Sequence, residues 1–111
     1  MRIFEVRNGD LIESLTRQIK APWIPDAAIV TVVGIVDDFA VLTTPSDDPG
    51  TQRLHEYDKP GGIVSAVGEV RDGQVRLHAS FAVDEGRVIG GHVQRATIGR
   101  HFARVYLLPT E

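Results

Sequence analysis

The sequence contains no cysteine. Disulfides, thiolate zinc fingers, iron–sulfur clusters and a cysteine nucleophile are excluded together, and the composition suits a reducing compartment such as the cytoplasm. Long apolar runs are missing as well. Ala27 to Val30 stops at Thr31 and no run is longer, far short of the roughly 20 residues a membrane span needs. The opening stretch Met1–Arg7 lacks the apolar core of a signal peptide. Positive charge is in deficit: 12 Lys+Arg stand against 15 Asp+Glu, for a formal net charge of -3. A nucleic-acid partner would be bound against that balance. Any metal must rest on the four histidines and the carboxylates.

What is present belongs to one ordinary globular domain, 1–111. Hydrophobic residues make up 42% and charged residues 24%, the balance of a chain that buries a core. Arg2–Arg7 alternates like a strand, and Asn8-Gly9-Asp10 turns into a helix start. Leu11, Ile12, Leu15 and Ile19 then form one apolar stripe at helical spacing, with Arg17 and Lys20 at the cation-favouring end and Pro22 as a stop. Ala27–Val33 is apolar at nearly every position and predicts a strand buried on both faces. Phe39–Thr44, Arg53–Tyr57, Ile63–Arg71, Gln74–Val83, Arg87–Ile98 and Phe102–Leu108 follow as strand candidates. Asp72-Gly73 joins two of them with the chemistry of a tight hairpin. The expectation is an α+β fold: a twisted, antiparallel-rich sheet of six to seven strands with one main helix. One helix cannot cover both faces of such a sheet, so the other face is expected to be buried against further copies of the chain.

Alternation within Gln74–Val83 sorts the side chains. Val75, Leu77, Ala79, Phe81 and Val83 point one way; Arg76, His78, Ser80 and Ala82 point the other. Gly90-Gly91 precedes His92 and marks a bulge or a close backbone approach, which would bring His92 near a neighbouring strand. Two imidazoles on adjacent strands suit either ordinary hydrogen bonding or the ligation of a metal, with His55, Glu69 or water as a third ligand. Arg104 and Tyr106 share a face of the last strand. A guanidinium fork suits a carboxylate or phosphate, and Arg104 is equally suited to an ion pair with Glu69 or Asp84. Arg95, Arg100 and His101 read as a solvated basic turn, and Trp23-Ile24-Pro25 as a plug at the helix end. A phosphate-binding loop ending in Lys-Ser/Thr, a Gly-x-Ser-x-Gly elbow and a helical His-Glu-x-x-His are all absent. Gly86-Arg87-Val88-Ile89-Gly90-Gly91 does not open a helix, so it is no dinucleotide fingerprint.

The order of Arg7-Asn8-Gly9-Asp10-Leu11, Gly34-Ile35-Val36-Asp37-Asp38, Gly68-Glu69-Val70, Leu77-His78-Ala79-Ser80 and Gly86 to Val93 resembles the plants-and-prokaryotes conserved (PPC) domain over about Arg2 to Leu108. The resemblance implies a sheet with one helix and a homotrimer. It also implies two functional settings: DNA association, since in plants the domain accompanies AT-hook segments that bind DNA and stand-alone bacterial members often carry that label by transfer, and a zinc site, held in some prokaryotic members by a His-x-His pair plus the Gly-Gly-His histidine. A similar site occurs in the distantly similar acetolactate decarboxylases, which are zinc lyases. Here Ser80 stands where the second histidine would be, leaving His78 and His92 as metal ligands. Arg104 stands where members often have Glu. Both departures favour an organic anion over a metal.

Three functions follow as expectations. The first is a small anionic or carbonyl-containing molecule held near the subunit interface by His78, His92, Arg104 and Tyr106, with Ser80, Arg76, Glu69, Gly90 and Gly91 around it and lyase- or cyclase-like proton transfer as the chemistry. The second is a DNA-associated regulator, against the net charge and without any helix-turn-helix or basic tail. The third is a structural trimer without chemistry. No cofactor is expected in the first case unless zinc binds, and no membrane partner in any.

Overall fold

A computed structural model describes residues 1–110. The chain runs β1 (Arg2–Val6), β2 (Gly9–Asp10), α1 (Leu11–Gln18), β3 (Ala27–Val36), β4 (Asp38–Thr43), β5 (Arg53–Tyr57), β6 (Gly61–Arg71), β7 (Gln74–Ala82), β8 (Val88–Ile98) and β9 (Ala103–Pro109). All pairings are antiparallel, in one sheet of order β1-β9-β3-β6-β7-β8-β4-β5, with β2 paired to β8 off that path. Nine strands take the place of the six to seven expected. The Asn8-Gly9-Asp10 turn itself contributes a two-residue strand against Ile98 and Thr97, and Arg53–Tyr57 is a full member at the sheet's edge. No helix among the described residues is long and apolar enough to cross a membrane.

The helix is shorter than its apolar stripe. Asp10 caps it by accepting from the Glu13 N–H at 3.0 Å, which satisfies one of the free donors of the first turn. It ends at Gln18, ahead of Pro22. Ile19 continues the buried stripe as the C-cap residue. Ile24 drops into the core as the expected plug, whereas Trp23 stays outside with φ 45° and lays its ring against Gly73 of the β6–β7 turn. Gly73 N–H donates to the Pro25 carbonyl at 3.0 Å, and Asp72 N–H to Asp26 Oδ1 at 3.3 Å. The helix exit and the hairpin tip are thus fastened to each other.

One face of the sheet is the core. Val6, Val32, Val36, Phe39, Val70, Leu77, Phe81, Ile98, Val105 and Leu107 are buried there beneath Leu11, Leu15 and Ile19 of the helix. Phe39 and Phe81 stack at 4.1 Å between centroids, and Tyr57 stacks on Phe39 at 5.5 Å.

The other face is open. Segment Ala27–Val33 is not buried on both sides: its burial alternates, and Val30 and Val33 face outward. Val64 and Val67 of β6 continue the same apolar surface at 60% and 61% exposure. Uniform apolarity therefore marks a strand whose second face is oily but uncovered in the single chain. β-bulges at Ile29/Thr31 and Ile63/Ser65 keep the two sides in register across it.

Candidate functional site

The β7–β8 ladder begins at His78–His92 and runs through Ala79–Gly91, Ser80–Gly90 and Phe81–Ile89 to Ala82–Val88. Beyond His92, β8 leaves β7 and pairs with β4. The two histidines therefore sit at a fork. Their rings meet edge to face, 5.3 Å between centroids and 72° between planes. A cleft of about 630 Å³ opens there, lined by His78, His92, Arg76, Gln74, Thr16, Leu42 and Gln52 among others.

The glycines make this geometry feasible, as the sequence suggested. A Cβ on Gly91 would lie 2.6 Å from the Leu42 carbonyl oxygen, and one on Gly90 2.8 Å from that of Ala79. Backbone contacts that close exclude any side chain. Position Gly91 lets β8 press against β4, and Gly90 lets it press against β7, which carries His92 to the side of His78.

The expected alternation of β7 holds. Leu77, Ala79 and Phe81 are buried, while Arg76 and His78 are exposed and Ser80 half-buried on the opposite face. Ser80 shares a short hydrogen bond with Ser65, 2.7 Å between hydroxyl oxygens. Glu69 stands opposite Arg76 on β6. His92 has its pKa lowered from the ordinary imidazole value. Partial burial disfavours the cation, and the positive fields of His78 and Arg76 disfavour it further. Near neutral pH His92 is thus an unprotonated base within the field of the Arg76 guanidinium.

A metal does not fit this set within one chain. Zinc takes three or four protein ligands. Here two imidazoles face each other, and the third place holds a hydroxyl already bonded to Ser65. Among the described residues no group of three or more His, Asp or Glu side chains could hold an ion. His55, one expected third ligand, lies on β5 and hydrogen-bonds Thr43 at 2.8 Å.

Arg104 and Tyr106 lie elsewhere on the same outer face. β9 is separated from β7 by β3 and β6, three strand spacings or roughly 14 Å. The structure does not bring them to the histidines of their own chain. Nor does Arg104 pair with Glu69 or Asp84. Its partner is Glu5, directly opposite on β1, at 3.5 Å, while Asp84 is taken by Lys59 at 3.1 Å. Of the basic group before the last strand, Arg95 meets Asp38 at 3.4 Å, while Arg100 donates its backbone N–H to Asp37 and its side chain and that of His101 are exposed. Thr16 and Gln52, which line the cleft, went unmarked in the sequence. They arrive from a helix and a loop far from β7, and only tertiary structure places them.

Residues 3–110 match the Plants and Prokaryotes Conserved (PCC) domain. Solved structures share the fold. One, from Ralstonia eutropha and named provisionally as a DNA-binding protein, is 13% identical with a TM-score of 0.81, over 97% of this chain and 76% of that one. A metal-containing protein from Archaeoglobus fulgidus is 21% identical with a TM-score of 0.78, over 100% and 82%. The α-acetolactate decarboxylase of Bacillus subtilis is 17% identical with a TM-score of 0.68 over 99% of this chain, which spans only 52% of the enzyme. At these identities the likeness establishes the fold alone. No curated protein matches the sequence. With the match running nearly end to end, the chain belongs to the Plants and Prokaryotes Conserved domain family.

Proposed function

We propose that this protein binds a small anionic or carbonyl-containing molecule in the cleft at His78 and His92 and moves a proton on it. The carrying observation is the edge-to-face imidazole pair beside Arg76 at the mouth of that cleft. A carboxylate on the ligand would meet the Arg76 guanidinium, which presents several donors in a plane. His92, held neutral, is the base; it takes a proton from carbon or oxygen, and Arg76 offsets the negative charge that develops. Such chemistry covers lyase and cyclisation reactions on carbonyl substrates. No step runs through zinc.

We infer further that the working unit is a homotrimer assembled through the open sheet face. Val30, Val33, Val64 and Val67 make that face oily, and burying it against copies of the chain removes it from water. Arg104 and Tyr106 would join the cleft's chemistry only from a neighbouring copy.

The DNA-associated alternative finds little support in the charge distribution. The chain carries -3 overall, and Lys59, Arg71 and Arg95 are each already paired with a carboxylate. Phosphate contacts need cations that are free to make them.

A titration with pyruvate, followed through the imidazole carbon-bound proton resonances, tests the proposal. Shifts at His78 and His92 that disappear in Arg76→Gln are expected. Imidazole resonances unmoved at millimolar pyruvate would leave an assembly without chemistry at this site.

A further inference from the structure

A second group of charges lies at the other end of the outer face. Glu5 on β1 stands opposite Arg104 on β9. Its carboxylate is shared between two guanidiniums: Oε1 meets Arg7 and Oε2 meets Arg104. Both guanidiniums also lie over one aromatic ring. Arg104 is 4.9 Å and Arg7 5.5 Å from the centroid of Phe102. Stacking of this kind fixes the plane of a guanidinium and leaves its edge donors free.

Two features make the group more than a surface ion pair. First, the charge does not balance. Two arginines share one carboxylate, in a chain that is acidic overall. Second, the bond between Arg104 and Glu5 is long. At 3.5 Å it exceeds the 2.7–2.9 Å of a well-formed charge-assisted pair. Arg104 is held loosely by Glu5; Tyr106, two residues on, lies on the same face, and it favours the protonated guanidinium together with Glu5.

We propose that Arg7, Arg104 and Tyr106 form a binding site for the carboxylate of a small organic acid, with Glu5 as an internal occupant that the incoming ligand displaces. The site is complete within one chain, on β1 and β9, and is separated from that chain's own histidine cleft by β3 and β6. Planar, fork-shaped donors around a position already held by a carboxylate favour a second carboxylate over a tetrahedral anion. The phenol of Tyr106 supplies a further donor to the ligand once Glu5 has swung away.

Isothermal titration with malonate in the Arg76→Gln background, where the cleft has lost its own carboxylate partner, distinguishes this site from an ordinary salt bridge. Removing the internal competitor in Glu5→Gln, which keeps the side-chain shape, is expected to tighten malonate binding by about tenfold, the scale of one charge-assisted hydrogen bond. Arg104→Gln and Arg7→Gln are expected to lose binding, and Arg104→Lys to weaken it by removing the planar fork. If Glu5→Gln bound malonate no better than the parent chain, or if binding survived Arg104→Gln, the site would be refuted. Inorganic phosphate binding as tightly as malonate would overturn the assignment to carboxylates. Because pyruvate shifts at His78 and His92 are read separately, failure here and failure of the cleft can be told apart.

Discussion

His78 and His92 meet edge to face at the first rung of the β7–β8 ladder, with Arg76 beside them and the cleft before them. The position fixes which imidazole gives way. Burial and the two neighbouring positive groups push the His92 pKa below the ordinary 6.5. An unfolded chain then takes up this proton before the folded one does, so this group's contribution to stability rises with pH in the window between the folded value and 6.5. Read downward, stability is lost as pH falls through about 6.5 and the loss is complete once pH is below the folded value. NMR titration is expected to place His92 below 6.5, with Arg76→Gln and His78→Asn each moving it upward. A His92 that titrated at or above the free imidazole value would contradict the geometry.

Much of this arrangement was legible in the sequence, and the failures share a cause. Asp72-Gly73 forms the hairpin it predicts, both residues adopting positive φ, 51° and 76°, as a tight turn of this kind demands. Alternation in β7 sorted the side chains onto their faces, and the paired glycines foretold the close approach of β8. These are local signals. The partner of Arg104 was not local: Glu5 lies 99 residues away, and nothing in spacing says that β1 pairs with β9. Likewise the apolar run Ala27–Val33 predicted two buried faces, because periodicity reports which residues are oily and not what covers them. The distance of Arg104 and Tyr106 from the histidines of their own chain was illegible for the same reason, since a shared face says nothing of how many strands intervene.

Glycines test how tightly the strands must approach. At Gly68 a Cβ would lie 2.0 Å from the Arg76 carbonyl oxygen, whereas at Gly62, on the same strand, nothing lies within 4 Å. Gly68→Ala must therefore separate β6 from β7 and is expected to destabilise by about 2 kcal/mol or more. Gly62→Ala removes freedom mainly from the unfolded chain and is expected to be neutral or mildly stabilising. Urea denaturation of both variants checks the contrast, and equal losses would mean that the approach at Gly68 is not what sets its cost. The pyruvate response of Gly68→Ala should also weaken, because β7 carries Arg76 and His78.

Asp10 works at two places at once. One carboxylate oxygen caps α1 through Glu13 N–H, and the other accepts the Ala96 N–H of β8 at 2.8 Å. Helix and sheet are joined through this one side chain. Loss of a cap alone costs about 1 kcal/mol. Asp10→Ala also strands the Ala96 amide, so a loss of about 2–3 kcal/mol is expected. Asp10→Asn keeps an acceptor for one of the two donors and should recover part of it. A denaturation midpoint unchanged in Asp10→Ala would show that neither bond contributes.

Val67 links the open face to the histidine pair. It stands opposite His78 on β6, on the outer face, and is 61% exposed in the single chain. Its core-side neighbour Ala66 is buried, so a substitution at Val67 leaves the interior untouched. If copies of the chain cover this face, Val67 lies within the contact, and a charge there must be buried unpaired. Val67→Glu is therefore expected to convert the protein from about three times the 12.2 kDa chain mass to a single chain, while its circular dichroism stays that of the parent. Light scattering behind a sizing column measures the mass directly. A parent chain that runs at 12.2 kDa in dilute solution would dismiss the trimer. A trimer that persists in Val67→Glu would place the contact on another surface, such as the open edge strands β1 and β5. In the first of these cases the valines of the outer face would face water, and Arg104 and Tyr106 would have no route to the cleft at His78 and His92.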